Sequence, residues 1–208
     1  MTEMLDIYDD NLEHIGVKSR ADVHRDGDWH KVFHCWVIYR DDAGQDWVII
    51  QKRAPSKKSF PNMLDVSAAG HYAAGETPRE GMRELQEELG LSPRYEELIH
   101  IGTRITFSRY GGAKDREVAD VYLYVCNQPL HDYCYQKEEI TGLIALNVQQ
   151  GLKLFAGEIN TISVPCCGFD SKSLTITKEH FIDVPDHYWE KIFMLTTRCL
   201  NGENNLWI

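Results

Sequence analysis

Residues 70–91 read GHYAAGETPREGMRELQEELGL, and no other stretch of the chain constrains its folding so tightly. Thr77 is a natural helix N-cap, Pro78 suits the first helical position, and Glu80, three residues after Thr77, completes a capping box. Gly90 stands where a left-handed residue ends a helix. The pattern predicts one helix between these signals. Gly81 inside it costs about 1 kcal/mol against Ala, so packing must hold it. On that helix Glu84, Glu87 and Glu88 fall on one face, while Met82, Leu85 and Leu89 point to the other, towards a core.

Three like charges on one helical face repel one another unless something positive sits among them. A solvated acidic surface is the bland explanation. The surroundings favour a cation instead. Glu76 lies at the mouth of the helix, where the positive end of the helix dipole favours a carboxylate. Arg83 could clamp Glu76 and hold the loop, and glycines at 70, 75 and 90 fall where a tight loop–helix–loop needs them. A hard divalent ion takes oxygen ligands and completes its shell with water and substrate phosphates.

The flanking sequence is rich in strands. Residues 30–40 and 47–53 read as a hairpin around Asp41-Asp42-Ala43-Gly44. Residues 66–69, 99–106, 120–126 and 140–147 are further strands. Residues 148–156 look helical, and apolar residues at helical spacing within 178–201 predict a C-terminal helix. Residues 107–117 form either a mobile specificity loop or a hairpin tip. The fold class is α+β, an α/β/α sandwich with a mixed sheet. It is read as a single domain over 1–208, with an N-terminal hairpin (about 1–28) and a C-terminal helical extension (about 178–208).

Charge and cysteine content bound the function. With 22 Lys+Arg against 32 Asp+Glu, the net charge is −10, which argues against a nucleic-acid partner. No apolar run approaches the roughly 20 residues that span a bilayer, so no membrane partner is expected. The acidic start is not a signal peptide, and the six cysteines show no C-x-x-C pair, so reduced thiols and a cytoplasmic location are expected. A homodimer is a compatible assembly.

The 70–91 segment resembles the signature of the Nudix hydrolases, G-x5-E-x7-R-E-U-x-E-E-x-G-U with U aliphatic. Gly70, Glu76, Arg83, Glu84, Leu85, Glu87, Glu88, Gly90 and Leu91 match it, but six residues rather than seven separate Glu76 from Arg83. The resemblance implies hydrolysis of a small-molecule diphosphate with Mg2+ or Mn2+. Glu84, Glu87 and Glu88 would be metal ligands, joined by the carbonyl of Ala69 or Gly70. Glu138 or Glu139 would be an extra ligand or a base. Because Arg83 points back along the helix, a direct Glu76–Arg83 ion pair is expected, with Glu76 not a primary ligand.

Residues 20–34 (RADVHRDGDWHKVFH), 51–53 (QKR) and 60–71 (FPNMLDVSAAGH) look like the Nudix branch related to isopentenyl-diphosphate isomerases. Those isomerases carry a catalytic cysteine where this chain has Ala68 and Ala69, so hydrolysis is favoured over isomerisation. A non-catalytic binding module would not need all three carboxylates. His71, beside the metal loop, is a candidate to touch substrate or metal. A lone histidine on a strand, as at His24, His30 or His34, is more often a hydrogen-bonded core residue. Lys52, Arg53 and Arg104, with Arg20, are candidates to meet substrate phosphates.

Overall fold

The computed structural model describes residues 2–184 and 186–208. In chain order the strands are β1 (Met4–Tyr8), β2 (His14–Ser19), β3 (Trp29–Arg40), β4 (Asp46–Arg53), β5 (Leu64–Asp65), β6 (Ala68–His71), β7 (Leu98–Tyr110), β8 (Ala113–Val125), β9 (Ile140–Asn147), β10 (Ile162–Cys167) and β11 (Ser173–Ile176). The helices are α1 (Arg20–Asp26), α2 (Pro78–Gly81), α3 (Arg83–Leu89), α4 (Val148–Phe155) and α5 (Tyr188–Leu200).

β3 is the hub. Residues 33–38 of this strand are buried without a break, as expected of a strand covered on both faces. Along one edge it pairs in parallel with β8, and β7 pairs antiparallel beyond that. Along the other edge it pairs first with β6 and then with β4, both antiparallel. Where these two strands part, the buried Ser67 hydroxyl accepts the Val37 N–H at 2.8 Å and donates to the Ile49 carbonyl. That one side chain satisfies backbone groups the fork would otherwise strand. β9, β10 and β11 extend the mixed sheet beyond β4, and β1–β2 extend it beyond β3.

Helices cover both faces. Leu85 and Leu89 of α3 pack against Phe33, Cys35 and Ala68 on one side. Trp189, Ile192 and Phe193 of α5 pack against Trp36, Ile38 and Ile144 on the other. Each such side chain contributes about 1.5–3 kcal/mol by leaving water. The result is the expected α+β sandwich.

Some local expectations are corrected. The helix between Thr77 and Gly90 is two helices, broken at Met82 (φ −63°, ψ −8°), whose carbonyl accepts the Leu85 N–H at 3.0 Å. The chain tightens there, at the segment that is one residue short. The C-terminal helix is confined to α5. Upstream of it Phe181 bridges to Leu64, and the Ile182 N–H donates to the Leu64 carbonyl at 3.1 Å, which draws this segment into an extended path. Residues 107–117 are a hairpin tip, not a loop, with Gly111-Gly112 as its turn. β10 and β11 were not expected, since Pro165 disguises β10 as a non-strand.

Candidate active site

Alternate residues of a strand share a face. On β3 these are His30, Val32 and His34, followed by the core residues Trp36 and Ile38. β6 sets His71 opposite Val32 and Ala69 opposite His34. β8 sets Glu117 beside His30 and Ala119 beside Val32, and β7 sets Arg104 opposite Ala119. One half of this sheet face is therefore apolar and covered by α5. The other half is a polar floor, with Val32 and Ala119, both buried, at its centre.

α1 crosses one end of the floor and brings in His24. The ring centroids lie 4.9 Å apart for His24–His30, 5.3 Å for His24–His71 and 5.1 Å for His30–His71. Ligand atoms of His24, His30 and His71 come within 4.8 Å of one another, as do those of His30, Asp115 and Glu117. His24 Nδ1 lies 2.7 Å from the Arg20 carbonyl, and His30 Nδ1 lies 3.1 Å from that of Asp28. A carbonyl only accepts, so both Nδ1 atoms carry the proton; His24 Nε2 lies 3.4 Å from Asp115 Oδ1, a carboxylate that holds this ring above the usual imidazole range. The Nε2 atoms of His30 and His71 and Oδ1 of Asp115 are buried with no hydrogen-bond partner. Burial holds His30 below the usual imidazole range and His71 well below it. His30, neutral with Nδ1 on a carbonyl and Nε2 without a hydrogen bond, is in the metal-ligating state. Unpartnered buried polar atoms are rare in native proteins, and a cation among these would satisfy them.

The second cluster lies at the outer edge of β6. Glu84 and Glu88 are buried, and Glu87 is half exposed. Glu88 accepts the Ala69 N–H at 2.9 Å and the Gln51 amide at 3.0 Å. Gly70 admits Glu84, since a Cβ there would stand 2.1 Å from the Glu84 carboxyl carbon. Arg83 organises the rest: it reaches Glu84 at 2.6 Å, Glu87 at 3.1 Å and the His71 carbonyl at 2.9 Å, and it pairs with Glu76. Burial pushes Glu84 up to about 7 and Glu88 up to about 8, with neighbouring carboxylates adding to the effect. Such carboxylates suit a bound cation, which would reverse the penalty.

The other residues singled out from the sequence are more committed than expected. Arg53 is tied to Asp65 at 2.6 Å and to the Ser59 carbonyl. Arg104 grips Asp186 with two bonds, at 2.8 and 2.9 Å. Lys52 lies 5.6 Å from the centroid of the Phe169 ring. Glu139 pairs with Lys57, a cation that sequence reading passed over. His24 and His30, read singly as core residues, belong to the imidazole cluster; the close H-x5-H spacing was the available signal.

A NUDIX domain model matches residues 28–151. An uncharacterised Nudix hydrolase of Clostridium acetobutylicum is 39% identical over 160 residues, 77% of this chain and 77% of that protein. An isopentenyl-diphosphate Delta-isomerase of Clavibacter michiganensis is 33% identical over 131 residues, 62% of this chain and 66% of that one. Among solved structures, DR0079 of Deinococcus radiodurans aligns with a TM-score of 0.52 at 26% identity, covering 74% of this chain and 90% of its own. The matched span contains every floor strand and all the clustered carboxylates, so fold, motif and relatives converge: the chain belongs to the Nudix family, in the branch related to isopentenyl-diphosphate isomerases, and is a Nudix pyrophosphohydrolase.

Proposed function

We propose that this enzyme is a metal-dependent hydrolase that cleaves the diphosphate linkage of a small organic diphosphate. The observation that carries the reading is the burial of Glu84 and Glu88 beside Gly70 and Ala69, a carboxylate pair whose charged forms a bound cation would stabilise. Glu84, Glu87 and Glu88 would hold Mg2+ or Mn2+. Ala69 would join them: its N–H leaves the β3 ladder for Glu88, and an antiparallel residue turns its carbonyl to the same edge. When bound, the ion neutralises the diphosphate and lowers the pKa of a water. Arg83 and Glu76 shape the loop. Glu139 is occupied by Lys57, so the general base falls to a carboxylate on the floor. Glu117 lies on the floor beside His30 and makes no salt bridge among the described residues.

His24, His30 and His71, with Asp115, would hold a second, softer cation such as Zn2+. The unpartnered Nε2 atoms of His30 and His71 support this. Isomerisation is the second reading, supported by the isomerase among the relatives. Ala68 and Ala69 weigh against it, because no thiol stands beside the floor. The six cysteines are free, which fits a reducing, cytoplasmic setting.

The test is a phosphate-release screen across nucleotide sugars, ADP-ribose, dinucleotide polyphosphates and prenyl diphosphates, with Mg2+ or Mn2+ and with chelator. Hydrolysis of at least one compound, abolished by chelator, is expected. Full activity in excess chelator overturns the metal assignment. Metal analysis of His71→Gln should show one transition-metal ion fewer than wild type.

A further inference from the structure

We infer that His34 is a substrate-binding residue: Tyr188 and Trp36 fix its ring so that Nε2–H is offered to an oxygen on the organic part of the substrate, which is therefore a hydroxyl-bearing group, not a hydrocarbon. This rests on the hydrolase reading for the diphosphate end and extends it to the other end of the substrate.

The indole N–H of Trp36 can only donate, and it lies 2.9 Å from the Tyr188 hydroxyl oxygen. The hydroxyl accepts there, and its own proton has one partner among the described residues, Nδ1 of His34 at 3.1 Å. His34 Nδ1 is thus the acceptor, and a neutral imidazole with Nδ1 bare carries its proton on Nε2. The three side chains are locked together: Trp36 is 0% exposed, Tyr188 2% and His34 8%. Nε2 of His34 has no hydrogen-bond partner among the described residues, yet it is not one of the sealed polar atoms. It keeps some access to solvent.

Position says what the donor meets. His34 is paired across the ladder with Ala69, the residue proposed to turn its carbonyl to the metal. Paired residues of an antiparallel ladder carry their side chains on the same face, about 4.5–5.5 Å apart at Cβ. His34 therefore stands next to the diphosphate, on the side towards α5. The charged groups around its ring are Arg104, Asp65 and Asp115. Arg104 lies over the Tyr188 ring, 4.0 Å from its centroid, held there by Asp186. Arg104 is already paired with Asp186, so the unmet donor is the His34 Nε2–H, which a hydrocarbon placed here would leave unpaired. A hydroxyl of a sugar or ribose would accept it. Sites built to bond a hydroxyl reject analogues lacking it by large factors.

The test combines spectroscopy with kinetics. Long-range proton–nitrogen NMR of 15N-histidine-labelled protein, assigned with His34→Gln, should show His34 protonated at Nε2 and bare at Nδ1. Tyr188→Phe should mix the two tautomers. In the wild type, ADP-ribose or UDP-glucose should shift the Nε2–H signal and geranyl diphosphate should not. In turnover, kcat/KM should favour ADP-ribose or UDP-glucose over geranyl diphosphate by at least about a hundredfold. His34→Leu should raise KM for the favoured compound at least about tenfold, and His34→Gln, whose amide N–H can replace Nε2–H, should recover to within about threefold of wild type. A proton on Nδ1, an unchanged KM in His34→Leu, or equal use of geranyl diphosphate overturns the inference. If the wild type hydrolyses none of the three, the activity reading fails for these compounds. The NMR titration still decides this one, and an unmoved Nε2–H overturns it.

Discussion

Arg83 holds Glu76 with two parallel hydrogen bonds, Nε to Oε1 at 2.7 Å and Nη2 to Oε2 at 3.2 Å. Glu76 in turn accepts the Ala73 N–H at 2.8 Å, which closes the loop on itself. The N-terminal hairpin adds a second clamp: the Ala74 N–H donates to the Met4 carbonyl and the Gly75 N–H to Asp6, both at 2.8 Å. The residue missing between Glu76 and Arg83 is absorbed at Met82, so the ion pair survives.

Arg83→Ala therefore leaves the glutamates in place but frees the loop. Turnover should fall at least roughly tenfold, as loss of positioning does. The Mg2+ concentration for half-maximal activity should change only about threefold, since Arg83 is not a ligand and its loss removes a competing positive charge. Steady-state kinetics across Mg2+ concentrations check both halves. Normal turnover would refute the role of the ion pair.

Gly81 provides a sharper case. Helix propensity alone makes Gly81→Ala stabilising by about 1 kcal/mol. In the fold, a Cβ at Gly81 would lie 2.0 Å from the Tyr72 ring. Tyr72 is buried, and its hydroxyl donates to Asp120 at 3.2 Å, so the ring cannot swing aside freely. Overpacking costs about 1–3 kcal/mol and outweighs propensity. Gly81→Ala should lower Tm by roughly 2–6 °C, measurable by calorimetry.

This contrast shows what was legible in the sequence. The carboxylate face of α3, its caps and the loop ends at Gly70 and Gly90 are local patterns, readable from spacing. The neighbour of Gly81 is Tyr72, set by how the helix docks. Likewise His24, His30 and His71 lie on three elements, and only the β3–β6 register and the path of α1 bring their rings together. Arg53 and Arg104 looked free because Asp65 and Asp186 lie far along the chain. Chemistry carried on one helix could be read; chemistry assembled across strands needed the register.

The floor also bears on isomerisation. Ala69 faces His34, and Arg104 and Asp65 lie close by. Restoring a thiol with Ala69→Cys supplies one acid but leaves a polar wall where a prenyl group would lie. Neither wild type nor Ala69→Cys should convert isopentenyl diphosphate to its allylic isomer in a proton-NMR assay. Isomer formed by the wild-type protein would overturn the argument from the missing thiol.

The buried carboxylates make metal-free stability depend on pH with an unusual sign. Glu84 and Glu88 move from an ordinary 4.5 to about 7 and about 8, because burial penalises their charged forms. Between these values the two carboxyls bind more protons in the folded chain than in the unfolded one, so their contribution to stability falls as pH rises; buried His30, His34 and His71 oppose this below about pH 6.5, where they ionise only in the unfolded chain. The loss begins near the unfolded value and is complete above the folded one. In chelator, Tm should therefore decline by several degrees between about pH 6.5 and about pH 8, where the buried histidines no longer oppose the carboxyls. Saturating Mg2+ should remove the decline, because the ion takes the place of the protons. Glu88→Gln should flatten it and raise Tm in chelator at the alkaline end, since the amide keeps an acceptor for Ala69 and Gln51 without the buried charge. Fluorescence melts across this range, with and without Mg2+, read the effect directly. A Tm that climbs towards pH 8 in chelator would show that these carboxylates are already neutralised by partners inside the fold.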